Sequence, residues 1–138
     1  MFPNNKMLWH KRKQYPDKEW VFLFLEPRVL WEKPCLFYPT NAASNTVRFC
    51  DESLFTTPEA LENLFSGERF GLKDYLPTDV QAEIMVQGVI EPSYIFACFF
   101  HSEQQSDLVQ KLTLKFYPNI TFHYGNGFMG FRENINWS

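Results

Sequence analysis

The stretch PTDVQAEIMVQGVI, Pro77–Ile90, alternates apolar and polar residues through its second half. In an extended strand, one face then carries Val80, Ala82, Ile84 and Val86, and the other carries Gln81, Glu83, Met85 and Gln87. This period of two predicts a strand with one buried face and with Glu83 near its middle. A carboxylate there points either into water or into a cleft where it is held ready for chemistry. The alternation alone leaves both alternatives open.

The segments on either side of this strand form an ordered set. They are Asn4–Trp9, Trp20–Pro27, Asn41–Ser44, Gln81–Glu83 and Ile90–Ile95. Taken together, residues 2–100 resemble the DarT family, bacterial ADP-ribosyltransferases that use NAD to modify bases of DNA. No single segment is diagnostic, and the resemblance rests on their order and spacing.

The resemblance implies a reaction and two site residues. Family members transfer ADP-ribose from NAD, which is a substrate, to bases of single-stranded DNA. Glu83 would be the catalytic carboxylate beside the nicotinamide ribose, and Gln81, two residues earlier on the same face, would line the NAD cleft. The toxin–antitoxin arrangement of the family also implies a macrodomain-type antitoxin as a partner.

The loop before the Glu83 strand is a second candidate region. Residues 67–79 combine Gly67, Gly71 and Pro77 with alternating charges, which predicts an irregular connection. In ADP-ribosyltransferases the loop before the catalytic strand helps to choose the target. By resemblance, the candidates for substrate contact are Arg69, Phe70, Lys73 and Tyr75. An ordinary surface loop is the competing interpretation.

Two further segments have open interpretations. The basic residues of the N-terminal segment 1–19, among them Lys11 and Arg12, are interleaved with Trp9 and Tyr15. Cations next to aromatic rings suit a nucleic-acid strand, although a short charged cluster also suits a solvated face. In Asn41–Asn45 the small residues allow close backbone approach, and a tight connector is favoured over ligand contact.

Composition excludes several classes of protein. The net charge is −3 over 138 residues, so any contact with nucleic acid must come from a local group of basic residues. The 45% of hydrophobic residues predict one folded domain. The apolar runs are far shorter than the roughly 20 residues of a membrane helix, so we expect no membrane contact. Cys35, Cys50 and Cys98 have no metal-ligand spacing, so we expect no metal and three buried thiols in a reducing cytoplasm.

The remaining pattern predicts an α+β fold. Thr56 or Thr57 as the cap, with Pro58 in the first turn, begins a helix over residues 57–65. The continuous apolar run of residues 20–25 predicts a central strand covered on both faces. Further strands are expected at residues 35–38, 94–100, 112–116 and 120–124, and the polar segment 102–110 suits a linker or a helix. We therefore expect an ADP-ribosyltransferase-like mixed or antiparallel sheet of about five or six strands with few helices.

The chain departs from the DarT pattern at its N-terminal end. Family members carry a His-x-Thr segment that grips NAD and a catalytic arginine, both upstream of a Pro-Met-Leu-Tyr region that Asn4–Trp9 resembles. We therefore expect residues 1–138 to form a single ADP-ribosyltransferase-like domain, truncated at the N-terminus relative to the family. Three interpretations are open: an active transferase, a non-catalytic relative that binds nucleic acid or protein, and an unrelated α+β domain.

Overall fold

The structure, a computed structural model, describes residues 6–69 and 71–125, and for Lys6 the backbone alone. The helices are α1 (Lys6–Gln14), α2 (Val29–Glu32), α3 (Pro58–Asn63) and α4 (Glu103–Thr113), with short 3₁₀ helices at Glu52–Phe55 and Pro92–Tyr94. The strands are β1 (Val21–Leu25), β2 (Cys35–Tyr38), β3 (Glu83–Val86), β4 (Ile95–Phe100) and β5 (Thr121–Tyr124). The α+β class matches the sequence prediction, and the described residues contain five strands, within the five or six expected.

These strands are divided between two sheets. In one sheet β4 lies in the middle, antiparallel to β1 and parallel to β5. In the other, β2 pairs antiparallel with β3, with Tyr38 opposite Glu83 and Cys35 opposite Val86. Its strand β3 lies within the alternating stretch Pro77–Ile90.

The prediction that the strand of residues 20–25 is central and covered on both faces is wrong. Among the described residues β1 pairs with β4 alone, and Val21 and Leu23 are 43% and 52% exposed. β4 lies in the middle of that sheet instead, and its residues Ala97–Phe100 are all buried. An apolar run reports a preference for burial, but the order of strands depends on which segments meet in the fold.

Two other expectations also need correction. Residues 112–116 are not a strand, because α4 continues to Thr113 and the amides of Phe116 and Tyr117 then donate to the Thr113 carbonyl. The helix is capped by the Ser102 hydroxyl, which accepts from the Gln105 amide at 3.4 Å, and its propagation overrides a short alternation. Cys50 is exposed, unlike Cys35 and Cys98, because it lies in the turns after β2.

The two faces of β2 pack against different segments. Cys35 and Phe37 join Ala60 and Leu64 of the α3 region in one apolar cluster, which also contains Ala82, Ile84 and Val86. Leu36 and Tyr38 join Ala42, Val47 and Phe55 in a second cluster on the other side. The predicted facing of Ala82, Ile84 and Val86 is therefore confirmed, and Glu83, opposite Tyr38, belongs to the second face.

The predicted helix over residues 57–65 is present as α3. Thr57 caps it, its hydroxyl accepting from the Ala60 amide at 3.2 Å, and Pro58 occupies the first turn. Leu64 is buried, with Leu61 and Phe65 packed beside it, as the apolar stripe predicted. The helix thus covers the face of β2 and β3 that lies opposite Glu83.

The connections between the two sheets are bound to each other by a polar cluster. Lys33 from the α2–β2 turn forms an ion pair with Glu91 at 2.6 Å and donates to the Val89 carbonyl at 3.0 Å. The Tyr94 hydroxyl donates to Glu32 at 3.0 Å, and this hydrogen bond is the largest cause of the raised pKa of Tyr94. The connection from β3 to β4 is therefore held at Val89, Glu91 and Tyr94, and this restrains the end of β3.

Candidate active site around Glu83

Glu83 lies at the beginning of β3 rather than near the middle of a strand. The residues before it form turns, and the regular pairing starts with Glu83 opposite Tyr38, the last residue of β2. Its side chain is half-buried. Because β2 ends where β3 begins, the chain that leaves β2 passes directly over the Glu83 carboxylate.

The segment that leaves β2 binds this carboxylate through two donors. The Asn41 amide nitrogen Nδ2 donates to Glu83 Oε1 at 3.3 Å, and the Ala42 backbone N–H donates to Glu83 Oε2 at 3.0 Å. Each carboxylate oxygen therefore has one partner, and its orientation is fixed. The sequence of Asn41–Asn45 favours a tight connector and does not indicate this contact, because only the strand register brings the two segments together.

The side chain of Asn41 is itself held in one orientation. Its Oδ1 accepts from the Ala43 backbone N–H at 2.8 Å, and its own carbonyl accepts from the Ser44 N–H at 2.8 Å. Because Oδ1 is used by Ala43, the amide nitrogen must face Glu83. The small side chains of Ala42 and Ala43 permit the backbone to approach the carboxylate this closely.

Gln81 does not share a regular strand with Glu83. Its backbone N–H donates to Asp79 Oδ1 at 2.7 Å, and the Ala82 N–H donates to the Asp79 carbonyl at 3.1 Å. This Asp79-centred turn delays the start of β3. Gln81 is half-buried and lies two residues before Glu83, but the predicted common strand face is replaced by a turn.

The loop over residues 67–79 is irregular, as predicted, and Arg69 organises it. The Arg69 guanidinium donates to the carbonyls of Phe65, Lys73 and Leu76, each at 2.8 Å. It also lies 3.4 Å from the Thr78 hydroxyl. The planar guanidinium presents several donors in fixed directions, so it can hold separate turns of one loop together.

The other two loop candidates that the structure describes point outward. Tyr75 is 71% exposed, and Lys73 Nζ lies 5.8 Å from the centre of its ring. Lys73 and Tyr75 are thus free to meet a substrate, whereas the Arg69 side chain is occupied within the loop. Phe70 lies outside the described residues.

Most of the chain is similar to one known protein family. A family model described as ssDNA thymidine ADP-ribosyltransferase, DarT, matches residues 1–122. The chain belongs to the DarT family. A search of curated proteins found no match. The DarT match includes α4 and extends past residue 100, where the sequence resemblance ended.

Membership of the DarT family makes NAD the expected ADP-ribose donor and single-stranded DNA the expected acceptor. Within residues 6–69 and 71–125, no three His, Cys, Asp or Glu side chains lie together as metal ligands. In the same ranges, no helix has the length and apolar character needed to cross a bilayer. Lys11 and Arg12, the candidates from the basic N-terminal segment, lie in the last turn of α1.

Removing the Arg69 guanidinium is expected to loosen the loop before β3. In Arg69→Ala, the amides of Leu76 and Thr78, which donate to backbone carbonyls in the folded loop, should exchange with deuterium about tenfold faster or more. Lys73→Ala is the matched control, because Lys73 contributes only its backbone carbonyl to the guanidinium. Equal exchange rates in wild type and Arg69→Ala would show that Arg69 does not hold the loop.

Proposed function

We propose that this chain transfers ADP-ribose from NAD to thymine bases of single-stranded DNA, with Glu83 as the catalytic carboxylate. The observation that carries the proposal is the half-buried Glu83 side chain, held by Asn41 and Ala42 in a member of the DarT family. A carboxylate with both oxygens oriented is preorganised to act on charge that develops nearby. A glutamate that served only solubility would need no such support.

The proposed chemistry uses the carboxylate twice. The bond from C1′ of the nicotinamide ribose to nicotinamide breaks, and its electron pair leaves with neutral nicotinamide. Glu83 stabilises the positive charge that develops on the ribose, as carboxylates do in glycoside cleavage. A ring nitrogen of the base then bonds to C1′, and its proton passes to Glu83 as general base.

The other candidates take supporting roles in this proposal. Gln81, beside Glu83 in the chain, contacts NAD, and Lys73 and Tyr75 on the exposed loop contact the DNA. Arg69 acts through the loop, since its guanidinium is bound to backbone carbonyls. Lys11 and Arg12 on α1 attract the phosphate backbone.

Family membership also supports a biological setting. We place the chain as the toxin of a bacterial toxin–antitoxin pair, acting in the cytoplasm and countered by a macrodomain-type partner. Free Cys35 and Cys98 thiols are consistent with a reducing compartment. Coexpression is the direct test, because growth arrest by this chain should be relieved by a macrodomain that removes ADP-ribose from DNA and not by one without hydrolase activity.

The decisive experiment measures NAD binding and transfer together. The purified 138-residue chain is titrated with NAD by calorimetry and then incubated with NAD and a thymidine-containing single-stranded oligonucleotide. We expect micromolar binding and an oligonucleotide mass increased by one ADP-ribose group, with none on an oligonucleotide without thymidine. A folded chain that neither binds NAD nor modifies the oligonucleotide would overturn the proposal and favour a non-catalytic binding module.

A further inference from the structure

Positive charge is concentrated in one short part of this acidic chain. Residues 6–18 contain five of the 13 Lys and Arg residues and one of the 16 Asp and Glu residues, although the net charge is −3. Three of these basic residues, Lys11, Arg12 and Lys13, lie in the last turn of α1. That placement complements the helix dipole, and it also creates a local attraction for a polyanion.

A cleft lies beside this basic segment, between α1 and the start of β1. It encloses about 370 Å³, within the range of sites for small ligands. The pairing of β1 with β4 explains why Trp20 and His101 both line this cleft. Val21 pairs with Phe100, and this brings Trp20 and His101 to the same end of the sheet. We call it the α1 cleft; it is lined by Leu8, Arg12, Tyr15, Pro16, Lys18, Glu19, Trp20, Phe22 and His101.

The lining combines the two chemistries that a nucleotide requires. Arg12 and Lys18 supply positive charge for a phosphate, and the rings of Tyr15 and Trp20 supply surfaces on which a base can stack. Glu19 is the one acidic residue in the lining, so the cleft is net positive. In the described part of the chain, the buried Trp20 indole N–H has no hydrogen-bond acceptor.

We propose that the α1 cleft binds one nucleotide of the single-stranded DNA substrate, separate from the base that is modified at Glu83. The nucleotide's phosphate lies between Arg12 and Lys18, and its base stacks on the aromatic side chains of the cleft. Such a contact anchors the strand without reading its sequence. That the bound nucleotide belongs to single-stranded DNA rests on the proposed function, whereas the existence of a nucleotide site in the α1 cleft does not.

The test measures DNA affinity and its salt dependence by fluorescence anisotropy with a labelled thymidine-rich oligonucleotide. In the double variant Arg12→Ala/Lys18→Ala, we expect at least about tenfold weaker binding and a salt slope smaller by about one to one and a half units. Tyr15→Ala should weaken binding about fivefold or more, with little change in the salt slope. The matched control is Lys111→Ala/Lys115→Ala, which removes the same charge from exposed residues outside the cleft.

Three outcomes would overturn the inference: unchanged DNA affinity in the cleft variants, equal losses in the control pair, or weakened NAD binding with unchanged DNA affinity. The last outcome would assign the cleft to the dinucleotide. Glu83→Gln separates this inference from the proposed function, because it should retain wild-type DNA affinity. If Glu83→Gln loses transfer and still binds DNA, the result concerns the proposed function alone. If the cleft variants, which retain Glu83, lose DNA affinity, the result concerns the α1 cleft.

Discussion

Replacing Glu83 with glutamine is expected to lower the rate of ADP-ribose transfer by about a thousandfold. The neutral amide neither stabilises positive charge on the ribose as a carboxylate does nor accepts the proton of the base. The measurement is the initial rate of oligonucleotide modification at saturating NAD and DNA. The control is Glu62→Gln, the same substitution at an exposed residue of α3.

The same substitution also disturbs local hydrogen bonding, and this effect must be separated from catalysis. Asn41 Nδ2 and the Ala42 N–H are both donors to Glu83, so the amide nitrogen of a glutamine would face one donor or the other. We expect a loss of about 1 kcal/mol in the free energy of unfolding. The double variant Asn41→Asp/Glu83→Gln restores a donor–acceptor match.

This double variant distinguishes the structural role from the catalytic one. The carboxylate introduced at position 41 would keep one oxygen for the Ala43 N–H and present the other to the glutamine amide. The stability of the double variant should therefore recover toward that of wild type, as measured by urea unfolding, while transfer stays near the Glu83→Gln level. Recovered transfer together with recovered stability would contradict a catalytic role for the Glu83 carboxylate.

Asn41→Ala is expected to lower kcat for transfer by about 10-fold to 100-fold and to leave the KM for NAD and for DNA within about twofold. Asn41 is a positioning residue in this proposal, because it acts through the Glu83 carboxylate. Without it, the Ala42 N–H still binds Oε2, so the carboxylate remains near its site but rotates more freely. Steady-state kinetics with each substrate varied in turn measures both constants.

Asn45→Ala is the matched control for this prediction. Asn45 is exposed in the same connection after β2, so its loss tests the effect of changing the segment without changing the contact to Glu83. A purely structural role for Asn41 would give the two variants the same kinetics per folded molecule. Equal kcat values for Asn41→Ala and wild type would contradict the positioning role.

Several features of the fold follow from local sequence chemistry. Thr57 and Pro58 determine where α3 begins, since a capping hydroxyl and a fixed φ act within one turn. The alternation through Ala82, Ile84 and Val86 identifies the buried face of β3, since successive side chains of an extended chain point to opposite sides. The glycines and charges of residues 67–79 likewise predict the irregular loop.

Features that depend on pairing between distant segments were harder to predict. The apolar run of β1 predicts a central strand, yet β4 is the central strand of that sheet. Because the sequences of both strands are apolar, only packing decides which neighbours each of them has. The strand predicted over residues 112–116 fails for a related reason. An alternation over five residues carries too little free energy to stop a capped helix that already has its own hydrogen bonds.

The sequence by itself determined the family, the α+β class and the identity of Glu83 as the carboxylate of interest. Only the tertiary structure decided what surrounds that carboxylate. Tyr38 lies opposite Glu83 in the β2–β3 pair, and this register carries Asn41 and Ala42, more than 40 residues away in the chain, to within 3.3 Å of it. Hydrogen bonds act over a few ångströms of space, whereas sequence patterns report only neighbours along the chain.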